Sequence, residues 1–331
     1  MLFLHVPTLV CSFISWNNKT NGDKVSALSP FIKFLKMKKL TMFKFVNACL
    51  VLALLACGKE DKTPEKNETE TDPINTFFKS EIRPDKTKPC FNGAYYRKMV
   101  SSKDVWLGIG GRVTLPKITF DPTRNNPAKP GQYLDNPSVY MGGSMGGQET
   151  DIGLTWEVVI ENGAVSTERK AFRPFLRRTS HSGGQAAAYE NAPAQPAYYW
   201  YPEEEVTMSV EIVANGKLKF TVEGAGKKFE KEFDADGYRP GSMGEFKRVN
   251  AIDQVSNEGK PAQVTKAKVE NSKWLETYLL RSYEGKTIKV PAHSGRLTDM
   301  RCPATNYFSI IASEAELLKG GETVNINGNG Y

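Results

Sequence analysis

Glu149 and Asp151 are the residues of this chain best spaced for chemistry. They stand in the stretch Glu149-Thr150-Asp151-Ile152-Gly153-Leu154, where residues two apart share one side of a strand. Two carboxyl groups can divide the roles of acid and nucleophile when they flank a reacting bond at about 5 Å. The positions that would add a further acid hold Gly153 and Leu154, and Glu157 shares the face but lies farther along. A paired-carboxylate reaction here therefore needs an acid from another strand.

A second set is aromatic. Tyr198-Tyr199-Trp200-Tyr201 precede Pro202 and the acids Glu203, Glu204 and Glu205. Aromatic faces stack on flat apolar surfaces while their polar tips hydrogen-bond. Tyr199, Trp200 and Tyr201, together with Glu149 and Asp151, are the expected ligand contacts. Alternate members of such a run also pack inward where a strand begins. Arg173, Arg177 and Arg178 surround Phe172 and Phe175 and suit either an anionic ligand or a polar strand face.

Other chemistries find little support. Past residue 56 the histidines are His181 and His293, far apart, and no His-x-x-x-His or Cys-x-x-Cys occurs. No catalytic residue, bound metal or cofactor is expected, with structural calcium left open because oxygen ligands leave fainter signatures. Asp253 and Glu258 read as one acidic loop. Ser180-His181-Ser182 lacks the Gly-x-Ser-x-Gly elbow. The run from Gly142 to Gly147 opens no helix, so it reads as a crossing between strands and not as a phosphate loop. The formal net charge is +7, but residues 1–56 carry seven lysines and a single acid. The rest is nearly neutral, which gives nucleic-acid binding no support.

The elements that must position these residues are strands. Val206, Met208, Val210 and Ile212 alternate with polar residues, Asn215-Gly216 marks a turn, and Leu218, Phe220 and Val222 alternate on the far side. That is a hairpin signature. Ile152, Leu154, Trp156, Val158 and Ile160 form another alternating strand. Trp274 to Leu280 is apolar on both faces, with Trp274, Tyr278 and Leu280 expected on one side, and reads as a central strand. The best helix is Ser313 to Lys319, where Ser313 and Glu316 form a capping box and Gly320-Gly321 ends the turn. Long hairpins with very little helix predict an all-β antiparallel sandwich or jelly roll of the concanavalin-like kind.

The N-terminal part reads as an address. Lys38, Lys39 and Lys44 precede a mostly apolar run from Phe45 to Ala56, which describes a secretory signal too short for a comfortable membrane span. Leu54-Leu55-Ala56-Cys57 resembles the lipobox of bacterial lipoproteins. Cys57-Gly58-Lys59-Glu60-Asp61 resembles the export signal of Bacteroidota surface lipoproteins. These resemblances imply acylation of Cys57, anchoring in outer-membrane lipid, and delivery to the cell exterior directed by Lys59, Glu60 and Asp61. Residues 1–36 do not fit such a signal, and Met37 reads as the natural start. Residues 37–56 are then the signal, 57–76 a lipidated flexible tether too polar to fold, and 77–331 a single β-sandwich domain. In an exported domain the remaining cysteines, Cys90 and Cys302, are expected to pair. A loop that long gives about 4 to 5 kcal/mol in the chain-entropy model.

Glu149-Thr150-Asp151 also resembles the start of the Glu-x-Asp-x-(x)-Glu strand motif of laminarinase-type glycoside hydrolases, which use the same jelly roll. The resemblance ends at Asp151, where the acid–base partner is missing. Taken together, the sequence predicts a surface lipoprotein whose domain binds a glycan or host glycoprotein. A glycan-degrading enzyme and an accessory subunit of an outer-membrane complex are the alternatives.

Overall fold

In the computed structural model the residues described are 77–331, apart from Pro130, Val158, Val159, Gly163, residues 166–170 and Ser294. Every described residue belongs to one compact unit, within Lys66–Tyr331. Cys57, Lys59, Glu60 and Asp61 therefore lie outside the described residues.

Two antiparallel sheets face each other. The seven-stranded sheet runs in the order β16 (Leu297–Cys302), β1 (Ala94–Ser101), β13 (Gly244–Gln254), β4 (Asp135–Met145), β5 (Gln148–Glu157), β8 (Ala171–Arg178), β9 (Ala188–Asn191). The nine-stranded sheet runs β12 (Lys227–Asp234), β11 (Lys217–Gly224), β10 (Glu205–Ala214), β2 (Trp106–Thr114), β14 (Lys268–Tyr283), β18 (Glu322–Asn327), β17 (Phe308–Ile311). β3 (Lys117–Thr119) and β15 (Lys286–Pro291) also pair with β14, and β6 (Ile160–Glu161) and β7 (Ala164–Val165) form a small separate ribbon. The chain passes repeatedly from one layer to the other, as a jelly roll does. Strand accounts for 55% and helix for 5%, so the all-β expectation holds.

Alternation makes these layers. Val206, Met208, Val210 and Ile212 of β10 and Leu218, Phe220 and Val222 of β11 are buried, and the Asn215-Gly216 turn joins them as predicted. Ile152, Leu154 and Trp156 of β5 point into the same core, with Trp106, Ile109, Phe220, Phe246 and Trp274. Burial of each large apolar side chain contributes about 1.5 to 3 kcal/mol. Charge also ties the layers together inside. Glu322 of β18 pairs with Arg97 of β1 at 2.8 Å and with Arg248 of β13, whose guanidinium lies 4.9 Å over Trp274. The helix α1 (Glu314–Leu318) carries the predicted capping box on Ser313 and Glu316.

Three expectations change. Trp274 does not share a face with Tyr278 and Leu280. A bulge between Trp274 and Glu276 inserts one residue, so Trp274 and Leu279 face the core instead. Asp253 is not in a loop but in β13, paired with Ala94 and Asn136. The Gly142–Gly147 run is not a crossing, since Gly142 and Gly143 are ladder residues of β4 and only Gly146-Gly147 turns into β5.

Cys90 and Cys302 form the expected disulfide, with Cα atoms 5.8 Å apart. It joins the segment before β1 to the end of β16, the neighbour of β1. The last strand, β18, sits in the other sheet. The bridge fixes an arm, residues 77–93, that crosses the outer face of the seven-stranded sheet. Thr298 Oγ1 donates to the Asp85 carbonyl at 2.6 Å, Lys88 pairs with Glu245 at 2.6 Å, and Phe91 stacks on Tyr96 at 4.2 Å. At its start, Glu81 holds Arg296 in a fully buried two-pronged pair at 2.7 and 3.0 Å.

Candidate functional site

The outer face of the seven-stranded sheet, beside the arm, gathers ionisable and aromatic groups from strands distant in sequence. Register sets Lys247, Gly142, Asp151, Arg177 and Tyr189 in one line across β13, β4, β5, β8 and β9. Gly142 is what lets this line close. It puts no side chain between β13 and β5, it sits at φ +150°, and a Cβ there would lie 2.1 Å from the Thr150 carbonyl oxygen. Lys247 Nζ crosses the gap to Glu149 Oε1 at 2.5 Å and to Asp151 Oδ1 at 2.6 Å. Arg177 Nη1 donates to Asp151 Oδ2 from the other side. A parallel line holds Lys98, Val249, Tyr140, Gly153 and Phe175. Tyr140 meets Phe175 edge-on at 5.9 Å, and Phe175 stacks with Tyr189 at 6.0 Å. Tyr140 and Phe175 are buried, whereas Tyr189 is 57% exposed. The result is a closed floor with a projecting aromatic rim.

Electrostatics fix the protonation of the floor. Burial pushes the Asp151 carboxyl up, but the Lys247 and Arg177 cations outweigh it and hold it below the ordinary carboxylate range. Burial likewise pulls Lys247 down, and Asp151 with Glu149 more than restore it. Lys98 behaves differently. Burial and the repulsion of Lys247 lower it to about 8, against the pull of Glu149, Asp151 and Glu245. Asp253 is raised to about 6 by burial, although Ser138 Oγ donates to its Oδ2 at 2.7 Å. Burial also lifts the Tyr140 hydroxyl well above its usual value.

The structure brings together some of the residues expected from sequence and separates others. Glu149 and Asp151 do share a face, joined by one ammonium. Arg173 and Arg177 flank Phe175 on this same face, while Arg178 and Phe172 turn to the inner side. Tyr199 and Trp200 do not belong to the site. Both are fully buried, Trp200 Nε1 donates to the Gly224 carbonyl at 3.0 Å, and Tyr199 packs on Ala171. Tyr201 alone of the three is exposed, with Lys227 Nζ 5.0 Å from its ring centre. Beyond the Phe91–Tyr96 stack under the arm, the aromatic residues that reach the face, among the described residues, are Tyr140, Phe175 and Tyr189. Sequence reasoning also missed Lys98 and Lys247 and set Asp253 in a loop. The signal for the last two was a single β13 alternation, Glu245, Lys247, Val249, Ala251, Asp253, in which charged and apolar residues share one side.

Among the described residues no group of three or more His, Cys, Asp or Glu is placed to hold a metal ion. A hollow of about 390 Å³ lies on the other sheet between Thr114, Lys117, Glu203, Asn271 and Lys273. Its Lys117 and Glu203 neutralise each other at 3.0 Å, and Glu203 and Asn271 both sit at positive φ, +70° and +60°, as turn residues do.

No protein-family model matches the chain, and neither does any curated protein. Among solved structures, the chain is similar to a scytalido-glutamic peptidase crystallised with a peptide-based transition-state analogue. Identity is 10%, coverage 71% of this chain and 98% of that one, and the TM-score 0.44. It is also similar to SCP-B of the eqolisin family of peptidases, at 12% identity, 71% and 98% coverage and a TM-score of 0.41. A Bacteroides ovatus mixed-linkage-glucan GH16 protein matches at 13% identity, 58% and 81% coverage and a TM-score of 0.30. All three TM-scores lie below 0.5, and the sandwich assignment rests on the two sheets themselves.

Proposed function

We propose that this chain is a surface lipoprotein of the Bacteroidota type whose sandwich binds a glycan, without cleaving it, on the outer face of the seven-stranded sheet. One observation carries the binding reading: the planar, charge-saturated line Lys247–Asp151–Arg177 lies beside the aromatic series Tyr140–Phe175–Tyr189. Planar carboxylate and guanidinium groups hydrogen-bond paired hydroxyls, and aromatic rings take the apolar face of a sugar ring. Cleavage would need one carboxyl to carry a proton as acid. Asp151 is held as an anion between two cations, Glu149 shares the same ammonium, and Asp253, though raised to about 6, is buried and engaged by the Ser138 hydroxyl at 2.7 Å.

The test is a glycan array probed with the full chain in detergent, alongside Tyr189→Ala and Arg177→Ala. Binding by the native chain, lost in Tyr189→Ala with melting unchanged and lost in Arg177→Ala as well, supports the reading, and a blank array refutes it. Release of new reducing ends from a bound glycan would replace binding by hydrolysis. The address is tested separately. Labelled palmitate should enter the native chain and be absent from Cys57→Ala, and protease applied to intact cells should remove the protein.

A further inference from the structure

Lys98 is the cation that the face does not use. It points outward from β1, partly buried, beside a stacked pair of rings. Phe91 and Tyr96 are parallel within 7°, and Lys98 Nζ stands 5.6 and 5.8 Å from their centres. The carboxylates it senses are Glu149, Asp151 and Glu245, and each is taken. Glu149 and Asp151 hold Lys247, Asp151 also holds Arg177, and Glu245 holds Lys88, which Asp85 shares at 3.0 Å. Among the described residues Lys98 has no carboxylate at ion-pair distance. A partly desolvated ammonium without a counter-ion is costly, and the fold places it beside Lys247, a second cation, which adds to the cost.

Position turns this spare charge into a recognition element. Lys98 stands in line with Val249, Tyr140 and Phe175, two strand spacings from Tyr140, about 10 Å by ordinary sheet geometry. A sugar resting on the Tyr140–Phe175 floor would turn a substituent toward Lys98. We propose that the ligand is an anionic glycan, bearing a carboxylate or a sulfate ester, and that Lys98 takes that group as its missing counter-ion. The inference rests on the glycan-binding reading above and sharpens it to a charge class. Arg177 and Arg173, on the far side of Phe175, are occupied by Asp151 and Glu157, the latter at 2.6 Å, so they leave the anion to Lys98.

Matched polysaccharides test it: dextran against carboxymethyl-dextran and dextran sulfate, and hyaluronate against its carboxyl-reduced form. Each is titrated onto the full chain in detergent at constant ionic strength. The expected result is at least about tenfold tighter binding of a charged member than of its neutral partner. The carboxymethyl and sulfate arms tell which anion is taken. Lys98→Gln should erase that preference, Lys98→Arg should keep it, and Lys228→Gln, on a distant exposed strand, should not alter it. Raising pH through about 8 should weaken the charged member only in the native chain; the other charged groups around Lys98 are Lys247, Lys88, Glu149, Asp151, Glu245 and Asp85, and of these Lys247 and Lys88 are raised and Asp151 lowered, all away from that pH. Equal binding of neutral and charged partners, or a preference that survives Lys98→Gln, overturns the inference while leaving glycan binding intact. A panel on which nothing binds removes both.

Discussion

Replacing Lys247 by Met should destabilise the sandwich and reverse the sign of part of its pH dependence. The side chain of Lys247 is 6% exposed and Asp151 15%, so their pair is largely desolvated, whereas Glu149 is 47% exposed. Removing one partner of a buried pair costs about 3 to 5 kcal/mol. The exposed Glu149 arm adds less than about 1 kcal/mol. Arg177 remains on Asp151 and offsets part of the loss, which leaves about 2 to 4 kcal/mol. For a domain of this size that lowers the melting temperature by about 5 to 15 °C. In the native chain Asp151 sits below its ordinary pKa. Its contribution is therefore present above about pH 4 and lost as pH falls through the folded value. Without Lys247 burial outweighs Arg177 alone, and the folded pKa rises above the unfolded one. Asp151 then favours folding only in acid, and stability falls as pH rises through the new value. Urea titrations from about pH 3 to pH 8 read both effects, and Lys247→Met combined with Asp151→Asn should recover most of the loss. A single variant with an unchanged midpoint and an unchanged pH profile would refute this account of the floor.

Three further outcomes follow from the same geometry. Trp200→Ala should cost about 3 to 5 kcal/mol by denaturant titration because that ring is fully buried, whereas Tyr189→Ala should change stability by less than about 0.5 kcal/mol. Asp253→Asn should gain stability relative to the native chain above about pH 6. The folded carboxyl is raised, so it favours folding below its unfolded pKa and opposes it above the folded one, by at most about 3 kcal/mol; equal stabilities at pH 5 and pH 8 would contradict this. Replacing Cys90 and Cys302 together by Ser should lower stability by about 2 to 5 kcal/mol and expose the arm to protease, and intact mass with and without reductant should differ in the native chain alone.

The fold was legible where one residue's face depends only on its neighbours in sequence. The β10–β11 hairpin, the core side of β5 and the Ser313 cap are of that kind, because period-two alternation and turn chemistry are local. The Trp274 face was not legible, since a bulge is decided by how β14 must meet both β2 and β18. Of the site, Glu149 and Asp151 were visible because they share a strand. Lys247 was not, because its partnership depends on register across β4 and on a glycine that leaves the way open. The aromatic run at Tyr199-Trp200-Tyr201 misled for a related reason. Composition shows where large rings are, and only the bridge of Trp200 to Phe172 turns Trp200 inward.

The covalent link from the arm to β16 also decides how the domain would carry a load. Under the proposed anchoring at Cys57, and with the proposed ligand held on the sheet, tension would enter at the arm. It meets the buried Glu81–Arg296 clasp first and then the Cys90–Cys302 bond. The cysteines are 212 residues apart in sequence, and every strand from β1 through β16 lies in the loop they close. A pull arriving at Cys90 is therefore passed to both ends of that loop, β1 and β16, at once. Peeling β1 from the N-terminal side would have to strip β16 with it, and the residues ahead of Cys90 are the part that can be drawn out without loading either strand.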